Sequence, residues 1–506
     1  SVVLPDKQKK IANLAQALQL HLANGYKLVI HDQLAEGGSD KTIRQLAPAC
    51  HRAITDLSRC VVRASQLYCS SPPNVWLEIH QLFLFAHHYQ FIRQQVRDEQ
   101  LSFADQNTIE DAYKRVLLLG CCKPNQMRQN DIALVYDAFE RWTEHTTVEV
   151  REDSASLFLI DADADTSPHY RALSTGKERH ESIGFNTTKL VDELTRYIAY
   201  MNEHGKPPEK GLNMPVRLTE NVLASLSQAL GILTKRTFKR IACSGNAFIA
   251  VGLSASHFFV GDGEEFNSQL TNANEDDLSS ASYYLNKAKK DDIWSSSFDS
   301  APSQATTPDM APISFPGKSQ PSKDGKIRYQ QNTVPLVNTS PGGYCVQWQH
   351  AIPGNVQAGE LLAIREEESQ PWCIGVIRWI RQMKHTGTQV GIELLAPGAK
   401  PCGVQLVQKT GEGSGYLRGL LLPELASIGQ PTTLITPRLP FQVKHKVLLN
   451  KGGRETKVHL TRRVSATSSF SQFEINFLHP TMLKAEKELR NGGPSEDEFD
   501  SLWPTL

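Results

Sequence analysis

The stretch LTKRTFKRIACSGNAFIAVGLSASHFF, residues 233–259, decides how the chain is read. It opens as the end of a helix, because Val222, Leu223, Leu226, Leu230 and Leu233 recur at the intervals of one apolar helix face. Beyond Arg240 the pattern becomes β-rich, so helix hands over to strand at two arginines four positions apart, Arg236 and Arg240. Taken alone, an i, i+4 arginine pair near a helix C-terminus is a solvated face favoured by the helix dipole.

Upstream, residues 1–147 read as all-helical. Ile11, Leu14, Leu18 and Leu22, and later Trp76, Ile79, Leu82, Phe83 and Ala86, follow helical spacing, with breaks expected at Asn24-Gly25, at 36–40 and at 71–74. That makes about five helices, in a bundle or a degenerate array. Residues 148–226 read as an α/β segment, with strands in TVEVREDSASLFLIDAD and a helix beginning at Thr187 or Thr188 and stopping at Gly205. Residues 261 to about 326 are rich in Ser, Pro, Asn and Asp and read as a disordered insertion. Strand patterning resumes at TVPLVNTSPGGYCVQW and continues through GVQLVQK, the spacing of a small barrel. A second β module follows at 413–484, and 485–506 form an acidic, aromatic tail.

Composition limits the function. The 506 residues exceed one core and divide into three or four domains. Lys+Arg and Asp+Glu both number 54, and this zero net charge weighs against a nucleic-acid partner, which a basic excess would serve. The nine cysteines form no C-x-x-C pair, which weighs against a disulfide framework and a structural zinc and for a reducing compartment. With no apolar run of membrane-spanning length and no signal-like start, the expectation is a cytoplasmic protein without a membrane span.

A second element changes the weight of the arginines: Asn338-Thr339-Ser340-Pro341-Gly342-Gly343. R-x-x-x-R at the entrance to a small β-barrel, followed by [D/N]-x-S-x-x-G at a turn into a later strand, resembles the PilZ domain, the bacterial receptor module for cyclic di-GMP. Arg236 and Arg240 match the first motif and Asn338, Ser340 and Gly343 the second, while GVIRW (375–379) and VGIEL (390–394) look like later PilZ strands. The resemblance covers about 234–260 and 327–408, and implies a PilZ-like barrel at 227–412 that binds cyclic di-GMP as its ligand, with no cofactor and no metal. Arginine's planar fork can bridge guanine O6 and N7 or grip a phosphate bidentately. Asn338 can offer its carbonyl to the guanine N1–H and N2–H edge, Ser340 can donate, and Gly343 eases the turn. Asn338 has one acceptor oxygen where the aspartate common at that position has two. Lys235, directly before the first arginine, stands where PilZ domains influence whether one or two ligand molecules are held. The main departure is the insertion of about 65 residues, whose loop closure costs roughly 3–4 kcal/mol.

Other motifs have plainer readings. LFLIDADADT resembles the D-x-D strand of haloacid-dehalogenase-like phosphatases, with Asp161 and Asp163 as nucleophile and acid. Asp165 stands where Thr or Val belongs, so an acidic strand end is the better reading. His80, His87 and His88 lack the i, i+4 pair of a metalloprotease helix. TGEGSG (410–415) lacks the G-K-[ST] of a P-loop, and Cys121-Cys122 reads as a buried helix end. The basic residues from Lys444 to Arg463 read as solvated strand edges.

The expected molecule is therefore multidomain α+β: an all-α N-terminal region, a small antiparallel PilZ-like β-barrel with a long insertion, and an additional C-terminal β module. It is expected to be a receptor rather than an enzyme, converting second-messenger binding into control of a protein partner through the helical region, the insertion or the tail. Motility, pili, adhesion and exopolysaccharide are the outputs the resemblance implies. The alternative is a PilZ-like interaction scaffold that binds no ligand.

Overall fold

The computed structural model describes residues 6–35, 43–150, 156–173, 182–209, 211–214, 218–231, 240–271, 329–349, 352–383, 386–407, 415–424 and 430–478. The chain divides into two compact units, one built from 1–244, 335–359 and 377–392 and the other from 245–334, 360–376 and 393–506, within which the described residues lie as follows.

The first unit begins with helices α1 (Asp6–Ala35), α2 (Ala47–Gln66), α3 (Val75–His88), α4 (Ile109–Cys121) and α5 (Gln129–Trp142). Phe83, Tyr113, Phe139 and Trp142 are fully buried among them. The expected break at Asn24-Gly25 does not occur, and α1 runs through it as one 30-residue helix. A mid-helix glycine costs only about 1 kcal/mol, and α1 is held along its length by α2. Thr108 starts α4, its hydroxyl accepting the Asp111 N–H at 3.0 Å. A two-strand pair, β1 (Val96–Arg97) and β2 (Gln106–Asn107), links α3 to α4.

An antiparallel four-stranded sheet follows, from β3 (Thr147–Val150), β4 (Phe158–Asp161), β5 (His169–Tyr170) and β6 (Ser182–Asn186), in the order β3-β6-β4-β5. It is accompanied by α6 (Thr188–His204) and α7 (Glu220–Leu230). The end of α7 is fixed by two hydroxyls that use its otherwise orphan carbonyls: Thr187 Oγ1 donates to Leu230 O at 2.6 Å and Tyr170 OH donates to Ala229 O. The chain leaves this anchored end for residues 232–239, which lie outside the described residues, as do Lys235 and Arg236.

The middle sheet contains β7 (Ile241–Ala242), β8 (Asn246–Val251), β9 (Asn332–Ser340), β10 (Gly343–Trp348), β11 (Leu361–Arg365), β12 (Cys373–Met383) and β13 (Gly387–Pro397). Its order is β10-β13-β12-β11-β8-β9-β7, and β9 also pairs with β10, so six strands close on themselves and β7 adds to β9. One expectation is corrected here: LSASHFFV is not strand but helix α8 (Leu253–Val260). Gly252, at φ 99°, turns the chain out of β8 while its N–H reaches Leu361 O at 2.8 Å. The expected insertion likewise starts with structure, a short helix α9 (Phe266–Thr271), and only from residue 272 onward does it leave the described residues.

In the second unit, β14 (Lys400–Leu406), β15 (Leu417–Leu422), β16 (Thr433–Pro437), β17 (Lys446–Lys451), β18 (Arg454–Ala466) and β19 (Phe470–Phe477) form a closed barrel in the order β14-β15-β16-β19-β18-β17. GVQLVQK, expected to complete the PilZ-like barrel, belongs here instead, because β14 pairs with β15 and β17. Val404, Leu434, Phe441, Val458 and Phe473 fill this barrel, and a separate core gathers Leu253, Leu361, Ile374, Leu420 and Phe470.

Candidate functional site

The described end of the first motif, Arg240, meets the second motif at one edge of the middle barrel, and these residues all belong to the first unit. β7 starts one residue after Arg240 and pairs antiparallel with β9, Ile241 opposite Thr339 and Ala242 opposite Asn338. Across β9, the hairpin to β10 sets Asn338 opposite Cys345, Thr339 opposite Tyr344 and Ser340 opposite Gly343. Asn338 thus has Ala242 on one side and Cys345 on the other, and Arg240 stands where its strand reaches Ser340. Its guanidinium lies close enough to Cys345 to favour the thiolate, although burial wins and the Cys345 thiol is pushed up overall.

A bulge adjoins this point. Leu336 pairs with Val346 and Asn338 with Cys345, so Val337 is an extra residue on β9. Its carbonyl is taken by the Cys243 N–H at 3.4 Å. A bulge of this kind bends its strand and re-aims neighbouring side chains, and it comes directly before Asn338. Arg240 is exposed, and Asn338 and Ser340 are half-buried. Ser340 Oγ donates to Gly343 O at 3.3 Å, which leaves the oxygen's lone pairs free to accept.

The strands that carried the resemblance pack on one another. Trp379 of β12 lies directly over Gly391 of β13, where a Cβ would collide with its indole. Helices and barrel also meet inside this unit: the Gln382 N–H donates to Tyr68 O at 2.7 Å and Arg128 Nε donates to Ala358 O at 3.2 Å.

Sequence reasoning passed over β7, a two-residue strand too short to show a period, and the Val337 bulge, which only the register of β9 against β10 reveals. The phosphatase-like aspartates have structural duties. Asp161 Oδ1 accepts the Asp163 N–H at 3.2 Å, and Asp165 receives the N–H groups of Asn74 and Trp76 at 2.7 and 3.0 Å, at the start of α3. His80 is buried, bound to Tyr113 OH at 2.9 Å and Thr166 O at 3.0 Å. Among the described residues no group of three or more His, Cys, Asp and Glu is arranged to hold a metal, and no helix is long and apolar enough to cross a membrane.

Comparison with known proteins agrees with this architecture segment by segment. Family models match for the N-terminal domain of the cyclic-di-GMP receptor FimW over residues 1–153, for its middle PilZ domain over 157–401 and for its C-terminal β-barrel domain over 402–478. The cyclic-di-GMP receptor FimW of Pseudomonas aeruginosa is 37% identical over 526 residues, which take in 100% of this chain and 85% of that protein. No solved structure matches.

Proposed function

Because the chain belongs to the family of the cyclic-di-GMP receptor FimW, we propose that it binds cyclic di-GMP at the β7/β9/β10 edge of the middle barrel and passes the binding event to a protein partner. The observation that carries this reading is the pairing of β7 with β9, which brings Arg240 to the Asn338–Ser340 turn. Arg240 and Arg236 are the clamp: their forks meet a phosphate or the O6/N7 edge of guanine, and their planes stack on the purine. Asn338 accepts from the guanine Watson–Crick edge, Ser340 accepts through its free lone pairs, and Gly343 lets the turn approach the ligand. Lys235 bears on whether one or two ligand molecules are held. No catalytic step is assigned, and the protein works in the cytoplasm, where such a messenger is made.

The signal would travel through the arginine segment. With the ligand bound, Arg240 and β7 would be held against the β9–β10 turn. The contacts of Tyr68 with Gln382 and of Arg128 with Ala358 give the helical region a direct stake in how β12 and the 352–359 loop are arranged. The ligand shifts this equilibrium only by its differential affinity for the two arrangements.

Calorimetry with cyclic di-GMP tests the site. The wild type should give a saturable heat, and Arg240→Ala should weaken binding roughly 10–100-fold, the equivalent of about 1.5–3 kcal/mol for a hydrogen bond to a charged group. A wild type that gives no heat at micromolar ligand would favour the scaffold reading instead.

A further inference from the structure

Helix α1 carries its leucines on the outside. Ile11, Leu14, Leu18, Leu22 and Val29 are between 50 and 62% exposed, and at 100° per residue they fall on one narrow stripe together with Gly25. The opposite face is the one that holds α1 in place. Ala23 and Ile30 are buried there, Arg63 donates to Gln16 and Gln19 at 2.7 and 2.8 Å, and Lys27 pairs with Glu78 at 2.7 Å. These exposed side chains make one contiguous apolar patch, the kind of surface that is often functional.

We propose that the occupant is a second copy of the chain, α1 packing antiparallel on α1 about a two-fold axis. The ends of the stripe carry the argument. Lys7 and Asp32, both exposed, continue its line at opposite ends. A parallel pair would set Lys7 against Lys7 and Asp32 against Asp32, whereas an antiparallel pair sets each lysine beside the other copy's aspartate. The same register puts Ile11 against Val29, Leu18 against Leu22 and Leu14 over Gly25, where a Cβ would find nothing within 4 Å and a leucine has room. In this register the eight stripe positions 7, 11, 14, 18, 22, 25, 29 and 32 pair first with last, second with seventh, third with sixth and fourth with fifth, each pair occurring twice about the two-fold axis. Lys7, Lys9 and Lys10 near the start of α1 and Asp32 near its end also oppose the helix's own dipole; an antiparallel neighbour brings the favourable pole to each.

Sedimentation of the 506-residue chain, with no added nucleotide, reads the prediction directly. The wild type should run as two chains. Leu18→Glu should run as one and keep the wild-type helical circular dichroism, because the side chain is exposed in the single chain. Lys7→Glu should weaken the dimer several-fold, and the double variant Lys7→Glu/Asp32→Lys should restore it, a rescue that a parallel pair would not show. A monomeric wild type, a dimer indifferent to Leu18→Glu, or a failed charge-swap rescue each overturns the proposal. So does a monomer that instead co-sediments with anionic phospholipid vesicles, which would assign the stripe to a lipid surface. None of these readouts involves cyclic di-GMP, so this seam and the ligand site stand or fall separately.

Discussion

Asp165 caps a helix from 91 residues away. Asn74, the residue before α3, has no capping side-chain bond of its own; the Asp165 carboxylate takes the first amides of the helix instead, where the dipole favours a negative charge. Asp165→Ala should lower stability by about 1–2 kcal/mol, read as a shift in the urea midpoint of the full chain, and Asp165→Asn should recover part of it. Gly391→Ala forces a methyl into the Trp379 indole and should cost about 1–3 kcal/mol in the same experiment. At the ligand edge, Asn338→Asp adds a second acceptor oxygen and should tighten cyclic di-GMP binding several-fold by calorimetry. Residues of this kind differ in how visible they are in a sequence. Arg240, Asn338, Ser340 and Gly391 sit in spaced motifs that an alternating strand pattern brackets, so their setting could be read. Asp165 could be read only as an acid out of place in a phosphatase motif, because its hydrogen-bond partners are remote in the chain.

Among the elements, long strands such as β12 and β13 announced themselves through sustained apolar runs, and α1 through helical spacing. The failures have specific causes. Asn24-Gly25 is a turn signal that tertiary support from α2 overrides. LSASHFFV is a short apolar run whose period fits either state, and the deciding feature, the positive φ of Gly252, is a backbone fact. β7, two residues long and with Ile241 68% exposed, is held by little beyond its pairing with β9, so its amides should exchange early. Hydrogen exchange should show β7 and the β9–β10 turn slowing on cyclic di-GMP addition; an unchanged profile would count against the arginine segment as the switch. On α8, His257 is buried, with Nε2 3.2 Å from Cys402 O. Burial, and then the nearby Arg418 charge, press its pKa down to about 3. The folded state therefore prefers the neutral ring: this stability is complete above the unfolded value of about 6.5 and is lost as the pH falls toward 3. A urea midpoint that falls with acid in the wild type and less steeply in His257→Gln would show it.

For the molecule as a whole, a ligand that binds only the folded chain adds RT ln(1 + [L]/Kd), about 2.7 kcal/mol at a hundredfold excess over Kd. Cyclic di-GMP should accordingly raise the melting temperature of the wild type by a few degrees in a thermal shift assay and leave Arg240→Ala near its unliganded value. The equality of 54 basic and 54 acidic residues weighs against a broad phosphate-binding face. The sequence also showed that two β modules follow the helices, but not where one ends. β14 continues the strand rhythm of the first barrel with only a short turn after β13, and hydrogen-bond partners, not periodicity, assign it to the second.

The seam between the family segments at 153 and 157 has a consequence for inheritance. Besides the Asp165 cap, His80 holds Thr166 O, the Trp142 indole N–H donates to Asn213 O at 3.1 Å, and Gly120 leaves room for Pro168. A gene fragment stopping at 153 would encode a helical domain with bare amides on α3, an indole donor facing water and a notch where a proline ring belonged. The two segments are separate entries in a family's vocabulary but one word in this protein, and recombination that exchanged either without the other would have to repair four contacts at once.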